Sequence, residues 1–337
     1  MKEFNIIKRF FTEQITNRKD VVLSIGDDCA LIAPTERQHI AITTDTLVSG
    51  VHFPSDTPAR AIGHKAIAVN LSDLAAMGAE PAWISLALTL PHFDELWLTD
   101  FCAGLFELCE YYNIQLIGGD TTQGPLSITV TAHGLVPVDK PLLRSGAKVG
   151  DWIFVTGELG DAALALQDIQ GKVVSKPVFK EQLHTKLNYP KPRVLAGQNL
   201  REYASSAIDL SDGLISDLEH ICIASTVGAN IVLDALPLST ALKDTVGIDK
   251  AIELALAGGD DYELLFTVSE DKRVGMETAL ANSGMPVTCI GQVNASNKIS
   301  TTMNGKAVSI NVKGFEHFSS TFSSTFSSTF SSTNEEQ

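Results

Sequence analysis

Cysteine is scarce in this sequence, and none of it is spaced for metal or redox chemistry. The five cysteines are scattered, with no C-x-x-C pair. This excludes a disulfide-stapled secreted scaffold and a cysteine-based zinc site, and it fits a reducing compartment. No apolar run reaches the length of about 18 residues typical of a membrane helix, and residues 1–11 lack the features of a secretion signal. We therefore expect a cytoplasmic protein that does not insert into membranes.

Positively charged residues are also few compared with negatively charged ones. The chain has 25 lysines and arginines against 40 aspartates and glutamates, which gives a formal net charge of −15. This excess of negative charge argues against binding to nucleic acid or to an anionic membrane surface. An acidic protein that binds phosphates needs metal ions or a few local basic groups to do so.

The glycine-rich nucleotide motifs are missing. The sequence contains no Gly-x-x-x-x-Gly-Lys-[Ser/Thr] and no Gly-x-Gly-x-x-Gly. These absences exclude a P-loop enzyme, a kinase-type glycine loop and a complete dinucleotide-binding fingerprint. Gly157-Glu-Leu-Gly160 is half of such a fingerprint, and it is more typical of a tight turn from a strand into a helix.

The length of 337 residues and the alternation of patterns predict two α/β domains. Helical periodicity covers residues 3–18, 58–78 and 95–112, whereas strands are predicted at 39–46, 84–90, 114–122, 126–136 and 151–156. We place an N-terminal domain at 1–138 and a C-terminal domain at 149–316. Residues 317–337 carry four Phe-Ser-Ser-Thr repeats, and we expect a low-complexity, disordered tail there.

Aspartates recur beside glycines and at predicted strand ends. They are Asp27 and Asp28 after Gly26, Asp45 after Thr43 and Thr44, Asp73, Asp120 after Gly118 and Gly119, Asp209 and Asp212 around Ser211, and Asp260 and Asp261 after Gly258 and Gly259. Hard oxygen ligands without a histidine or cysteine cluster favour Mg²⁺ over zinc or iron. Mg²⁺ ions that bridge phosphates are what phosphoryl transfer requires. Asn70 and Asp73 share a helix face, and a carboxylate buried there implies a partner.

The stretch Asp209-Leu-Ser-Asp212 has two interpretations. Either Asp209 or Ser211 caps the helix that follows Gly213, or the turn holds a metal-bound phosphate at the start of that helix. The roles of two basic residues are equally open. Arg144 fits a phosphate-binding role or a surface role, and His52 fits a site residue or a structural loop residue.

The motifs, in this order, resemble those of the thiamine-phosphate kinases, a family within the aminoimidazole ribonucleotide synthetase-like superfamily. The matching motifs are Gly26-Asp-Asp-Cys-Ala30, Thr43-Thr-Asp-Thr-Leu47 with His52, Asn70-Leu-Ser-Asp-Leu-Ala-Ala-Met-Gly78, Gly118-Gly-Asp-Thr121, Val155-Thr-Gly157, Asp209-Leu-Ser-Asp-Gly213 and Gly259-Asp-Asp-Tyr-Glu-Leu264. The resemblance covers the chain from Gly26 to Phe315. The Asn70–Gly78 motif and the Gly-Gly-Asp turn recur across the superfamily, whereas the full aspartate set is more specific to the kinases.

The resemblance implies the two-domain fold of that superfamily, with N-terminal strands that pair into a barrel shared by a homodimer and a C-terminal α/β lobe. It also implies ATP-dependent phosphorylation of thiamine phosphate to thiamine diphosphate, the last step of thiamine diphosphate biosynthesis. Transfer would be direct and in line, assisted by several Mg²⁺ ions. ATP and thiamine phosphate would be the partners, and the site would lie in the cleft between the lobes.

The roles of individual residues carry over position by position. The implied Mg²⁺ ligands are Asp28, Thr43, Thr44, Asp45, Asp73, Asp120, Asp209 and Asp212. The implied ATP contacts are Gly119, Asp120, Arg144 and Ser211, and the implied thiamine contacts are His52, Asp260 and Phe315. Asp260 stands where glutamate is more usual, and Phe315 where tyrosine or tryptophan also occurs. No general base is expected, and Asp212 and Asp120 are the most critical residues.

Two other classes of function stay open at this point. A related ATP-using synthetase, which activates an amide or formyl oxygen, would ignore thiamine phosphate. Selenophosphate synthetase in particular is disfavoured, because no cysteine stands in a glycine-rich segment before the first acidic motif. A metal-loaded scaffold protein would bind nucleotide without turnover. Product formation from thiamine phosphate and Mg-ATP separates these functions.

Overall fold

The computed structural model describes residues 3–26, 29–34 and 36–309. These residues form two compact units. One contains the described residues of Met1–Pro141 together with Asn188–Val194, and the other contains those of Leu142–Leu187 and Leu195–Gln337. Within the described ranges, no helix combines the length and the apolar character needed to cross a membrane. The predicted tail 317–337 lies outside the described residues.

The first unit consists of a four-stranded sheet and helices. Its elements are α1 (Glu3–Ile7), a π-helical turn (Lys8–Thr12), β1 (Val21–Leu23), β2 (Leu31–Ile32), β3 (Gln38–Val48), α2 (Ala59–Ala76), β4 (Glu80–Leu90), α3 (Glu95–Tyr111), β5 (Gln115–Gln123) and β6 (Ser127–Pro137). The sheet has the order β3-β6-β4-β5, and only the β4–β5 pair is parallel. β1 and β2 form a separate antiparallel pair.

Helix α2 is buried along almost its whole length, which its small and apolar residues permit. Two glycines allow α2 and α3 to approach closely. A Cβ added to Gly63 would lie 2.0 Å from the carbonyl oxygen of Phe101, and one added to Gly104 would lie 1.9 Å from that of Arg60. The same packing holds α2 against β3 and β6, so polar residues of α2 are carried to one face of the sheet.

The second unit has a seven-stranded sheet in the order β13-β12-β9-β11-β7-β10-β8. Its strands are β7 (Trp152–Thr156), β8 (Ala204–Asp209), β9 (Gly228–Val232), β10 (Leu264–Val268), β11 (Val287–Asn294), β12 (Ile299–Met303) and β13 (Lys306–Val308). Its helices are α4 (Asp161–Ile169), α5 (Pro177–Asn188), α6 (Val194–Leu200), a 3₁₀ turn (Leu233–Ala235), α7 (Leu214–Ser225), α8 (Thr240–Val246), α9 (Ile248–Ala257) and α10 (Glu270–Asn282). A buried apolar core links the sheet to α7 and α9.

The two mixed units confirm the predicted two-domain α/β class, but the boundaries of one helix and three strands were wrong. The predicted helix 3–18 ends at Thr12. Beyond it, the side-chain amide of Gln14 donates to the Leu116 carbonyl (2.7 Å) and accepts from the Leu116 N–H (2.8 Å). This segment therefore covers the edge of β5 instead of continuing the helix, because the amide satisfies exposed strand groups.

The strands also run further than the sequence predicted. β3 continues to Val48 and β5 continues to Gln123, so Thr43–Asp45 and Asp120 lie within strands instead of at strand ends. β4 begins at Glu80 instead of Ile84. The reason is pairing: the added residues of all three strands have partners in the sheet, with a register shift in β4 between Pro81 and Trp83. Side chains of neighbouring positions consequently alternate between the two faces.

Candidate functional site

The turn Asp209–Gly213 joins the end of β8 to the start of α7. Asp209 is the last residue of β8, and α7 begins at Leu214. Gly213 is the N-cap residue, with φ of 117°, and a Cβ there would lie 2.9 Å from the carbonyl carbon of Ala257. Both the positive φ angle and the close approach to Ala257 require glycine at this position. Neither Asp209 nor Ser211 occupies the N-cap position, so the capping interpretation of these two residues was wrong.

A second acidic loop, residues 258–263, lies against this turn. The Leu210 N–H donates to the Glu263 carbonyl and the Tyr262 N–H donates to the Leu210 carbonyl, both at 2.8 Å, while the Asp260 N–H donates to the Ser211 carbonyl at 3.0 Å. The phenol of Tyr262 donates to Asp260 Oδ1 at 2.9 Å. Asp260 and Tyr262 have positive φ angles of 69° and 48°. Strained backbone of this kind is typical of functional loops, and here it fixes Asp260 beside Ser211.

The carboxylates around this turn are held in an unfavourable electrostatic environment. Burial raises the pKa of Asp217 to about 7, with a smaller contribution from the charge of Asp212 and in spite of the backbone hydrogen bonds that lower it. Burial also raises the pKa of Asp261 well above its ordinary value, and the charges of Glu263 and Asp161 add to this effect. Carboxylates that repel one another in a desolvated site are stabilised by a cation.

In the first unit, Asp73 and Asp45 form a second acidic pair. Thr43 on β3 donates its hydroxyl to Asp73 Oδ2 on α2 at 2.5 Å. Burial, together with the charge of Asp73, raises the pKa of Asp45 to about 6. Asp73 thus has the hydrogen-bond partner that its position on a buried helix implied. Asp45 and Asp73 lie on the face of the sheet that α2 covers. Asn70, one turn away, is buried and donates its amide to the Ala66 carbonyl at 3.1 Å.

The other predicted ligands of this unit lie on the opposite face. Thr44 is paired in register with Thr131, and their hydroxyls are 2.9 Å apart. Asp120 on β5 pairs in register with Ala87 on β4. Ala87 pairs with Thr129 on β6, and Thr129 pairs with Thr46 on β3, so these four residues form one row across the sheet. Gly119 precedes Asp120 on β5 and lies in the neighbouring row across the sheet, which contains Asp45. Because side chains in register point to the same face, the fold brings Thr43, Asp45 and Asp73 together and separates them from the side chains of Thr44 and Asp120.

Gly119 offers a direct test of this strand geometry. A Cβ at Gly119 would lie 1.9 Å from the Leu86 carbonyl oxygen, whereas a Cβ at Gly118 would meet no heavy atom within 4 Å. Gly119→Ala should therefore destabilise the sheet by about 1–3 kcal/mol, because backbone must shift. Gly118→Ala is the matched control and should change stability little. Urea unfolding of both variants measures the difference, and equal midpoints would contradict the predicted clash.

Arg144 lies in the loop before β7 and has an exposed side chain. The loop itself is fixed. The Ser225 hydroxyl donates to the Arg144 carbonyl at 3.2 Å and accepts from the N–H groups of Gly146 and Ala147 at 3.1 and 3.2 Å. The Leu143 carbonyl accepts from the Ala207 N–H on β8 at 2.9 Å. A fixed loop that presents a guanidinium to solvent can bind an anion without first becoming ordered.

His52 lies in the short loop after β3. Its Nδ1 accepts from the Val48 N–H at 3.0 Å, and the His52 N–H donates to the Val48 carbonyl at 3.0 Å. In a neutral ring, the proton is therefore on Nε2. The contact gives His52 the structural role that the sequence left open, and it also orients the ring. Asp28 and Phe315, the remaining predicted site residues, lie outside the described residues.

The donor set fits Mg²⁺ better than a metal that requires an all-protein cage. Among the described residues, no three histidine, cysteine, aspartate or glutamate side chains are grouped closely enough to hold an ion. Mg²⁺ is usually bound by one or two carboxylates, with water and substrate phosphates completing its coordination. The pair Asp45–Asp73 matches that requirement.

Asp217 was missed as a site residue by sequence reasoning, although it stands in the motif stretch. Its Oδ2 accepts from the N–H groups of Asp212 and Gly213, both at 3.2 Å, and it is only 2% exposed. The available signal was an acidic residue in the first turn of a helix, where it can reach back to unpaired N–H groups.

Comparisons with known proteins agree along the chain. Residues 26–136 match the family model "AIR synthase related protein, N-terminal domain", and residues 148–304 match the corresponding C-terminal domain. Thiamine-monophosphate kinase of Escherichia coli K12 is 52% identical over 320 residues, which cover 94% of this chain and 98% of the relative. The enzyme of the same name from Haemophilus influenzae is 46% identical, with coverage of 95% and 99%.

Solved structures give the same result. Thiamine-monophosphate kinase from Stenotrophomonas maltophilia K279a has a TM-score of 0.84 and 45% identity, covering 91% of this chain and 98% of that one. AaThiL complexed with AMPPCP and TMP has a TM-score of 0.74 and 32% identity, with coverage of 88% and 92%. The hydrogenase maturation protein HypE shares the fold alone, at 17% identity and a TM-score of 0.74. The resemblance found in the motifs is confirmed, and the chain belongs to the thiamine-monophosphate kinase family.

Proposed function

We propose that this protein transfers the γ-phosphoryl group of ATP to thiamine monophosphate and so makes thiamine diphosphate. The observation that carries the proposal is the 52% identity to a thiamine-monophosphate kinase over 94% of the chain. A structure of a relative with AMPPCP, a non-hydrolysable ATP analogue, and TMP supports both substrates. The synthetase alternative loses support, because relatives that are 52% and 46% identical to this chain are thiamine-monophosphate kinases.

The residues fit Mg²⁺, and we propose that side chains of the acidic motifs bind it. The ligands would be Asp28, Thr43, Thr44, Asp45, Asp73, Asp120, Asp209 and Asp212. Bound Mg²⁺ neutralises phosphate charge and lowers the repulsion between two polyanions. What supports the assignment is the raised pKa of Asp45 beside Asp73 and the oxygen-only donor set. For Thr44, whose hydroxyl is paired with Thr131, and for Asp120, which lies on the same face of the sheet as Thr44, the proposal rests on the family resemblance.

The chain's own residues would bind and orient the substrates. Arg144, Gly119, Asp120 and Ser211 are proposed to meet ATP, with the planar guanidinium of Arg144 suited to phosphate oxygens. His52 and Asp260, together with Phe315, are proposed to meet the thiamine moiety. Residues 1–138 would then be the nucleotide- and magnesium-binding domain, and residues 149–316 the C-terminal domain.

No general base is needed for this reaction. A phosphate monoester has a second pKa near 6 and is largely a dianion at neutral pH. One of its oxygens can attack the γ-phosphorus directly, while the bond to the β–γ bridging oxygen breaks and ADP leaves. The barrier lies in bringing two anions together, which at a few ångströms costs several kcal/mol at an effective dielectric typical of protein surfaces. Mg²⁺ bound by the carboxylates of the acidic motifs would lower that cost.

Direct transfer predicts that no phosphoenzyme forms. Incubation of the protein with γ-labelled ATP, without thiamine monophosphate, should leave no label on the denatured chain, because no residue acts as an intermediate phosphoryl acceptor. The measurement is scintillation counting of the acid-precipitated protein. Label in amounts comparable to the enzyme, chased into product by thiamine monophosphate, would overturn the direct mechanism.

We propose that the protein acts as a homodimer in which a second copy covers the open face of the β3-β6-β4-β5 sheet. This face carries the Thr44–Thr131 and Thr46–Thr129 hydroxyl pairs and Ile42, which is 64% exposed. Sheet faces that expose β-branched apolar residues are typical of interfaces. Ile42→Lys should therefore shift the mass in light scattering from dimer to monomer, whereas Val178→Lys, at another exposed position, should not. A monomeric wild-type protein would contradict the proposal.

The function itself is tested by a coupled assay of ADP release. Thiamine monophosphate should support turnover with Mg-ATP, and free thiamine should not, because the acceptor is a phosphate oxygen. Thiamine diphosphate should appear in equal amount to ADP. Binding of nucleotide without any product would instead favour the scaffold alternative.

A further inference from the structure

Asp217 lies in the first turn of α7, directly behind the Asp209–Gly213 turn. Its Oδ2 accepts from the backbone N–H groups of both Asp212 and Gly213 at 3.2 Å, and the residue is 2% exposed. These are N–H groups just before the helix, which have no partner within it. Asp217 therefore satisfies two donors that burial would otherwise leave without hydrogen bonds.

Asp217 holds the peptide groups on both sides of Asp212, and the second acidic loop also holds one of them. The Ser211 carbonyl accepts from the Asp260 N–H at 3.0 Å, while the Asp212 N–H is bound by Asp217. Both groups belong to the Ser211–Asp212 peptide, and Asp217 also accepts from the Gly213 N–H of the next peptide, so the backbone on both sides of Asp212 is held. A side chain on a backbone held in this way loses little further freedom when it binds a ligand.

We infer that Asp217 is a positioning residue that orients Asp212 for metal binding without touching the metal itself. The inference rests on the proposed function, in which Asp212 is a Mg²⁺ ligand. Outer hydrogen-bond partners of metal-binding side chains typically contribute about ten- to a hundredfold to metal affinity or activity. Asp217 is assigned this role by its contacts with the Asp212 backbone.

The test measures metal binding directly, in the absence of turnover. Mn²⁺ is titrated into the full-length protein with AMPPCP present, and free Mn²⁺ is followed by electron paramagnetic resonance. The variants are Asp217→Ala, which removes the acceptor, and Asp217→Asn, which keeps an acceptor oxygen of the same reach. Asp151→Ala is the matched control, because Asp151 is also buried (4% exposed) and accepts from the Lys148 N–H at 3.0 Å and the Ser205 hydroxyl at 2.6 Å.

Asp217→Ala should weaken Mn²⁺ binding by about ten- to a hundredfold, and Asp217→Asn should restore most of it. Asp151→Ala should lower the melting temperature in EDTA but leave Mn²⁺ binding unchanged. Wild-type affinity in Asp217→Ala, or an equal loss in Asp151→Ala, would overturn the inference. If Asp217→Ala does not fold, Asp217→Ser replaces it and is judged by the same outcomes. Failure of the wild-type protein to phosphorylate thiamine monophosphate would count against the proposed function instead.

Discussion

Asp212→Asn should lower turnover of thiamine monophosphate by more than about a hundredfold while the protein stays folded. Loss of an outer partner of a metal ligand already costs about ten- to a hundredfold, and Asp212 is proposed to bind the metal itself. Asparagine has nearly the same shape, so the packing of the turn is kept and only the charge is lost. The backbone contacts that hold the turn come from Asp217 and the 258–263 loop, and the substitution leaves them in place.

The measurement is kcat at saturating Mg-ATP, together with the far-ultraviolet circular dichroism and melting temperature of the variant. Asp244→Asn is the matched control in the same unit, because this carboxylate is exposed and forms a surface pair with Lys176 at 3.4 Å. A surface pair of this kind contributes little, so the control should keep wild-type activity. Near-normal turnover in Asp212→Asn would refute the metal assignment at this turn.

Local chemistry could be predicted from the sequence, and non-local geometry could not. The Asp209–Gly213 turn was correctly placed between a strand and a helix, because an apolar run, a glycine and a periodic segment follow one another there. Its partner in the 258–263 loop was recognised as acidic but not as its neighbour. That contact depends on the pairing of β8 with β10, which no pattern within either segment specifies.

The Thr43-Thr-Asp45 motif shows the same limit. Its residues were treated as one group of ligands at the end of a strand, yet β3 continues to Val48. Inside a strand, neighbours point to opposite faces, so Thr43 reaches Asp73 while Thr44 pairs with Thr131. Asp217 shows a related limit. An acidic residue in a first helical turn is common, and only the three-dimensional position of its carboxylate identifies its contact with Asp212.

Asp45→Asn should make the protein inactive and, without metal, more stable. Turnover should fall by more than about a hundredfold for the same reason as in Asp212→Asn. Stability should change in the opposite direction, because burial and the charge of Asp73 raise the pKa of Asp45 from 3.8 to about 6. The ionised carboxylate thus destabilises the folded state at neutral pH, and substitution by asparagine removes this destabilisation. We expect a gain of about 1–3 kcal/mol in the free energy of unfolding at pH 7.5 in EDTA.

The pH dependence identifies the cause. Below pH 3.8, Asp45 is protonated in both the folded and the unfolded chain. Between pH 3.8 and about 6, only the folded chain holds the proton, so the wild-type stability contributed by this group falls as the pH rises and has been lost above about pH 6. Asp45→Asn should lack that part of the decline, whereas the exposed control Asp139→Asn should keep it. Mg²⁺ should stabilise the wild-type protein more than Asp45→Asn, since the cation relieves a repulsion that the variant no longer has. Parallel stability curves for wild type and Asp45→Asn across this pH range would show that the carboxylate pair carries no such strain.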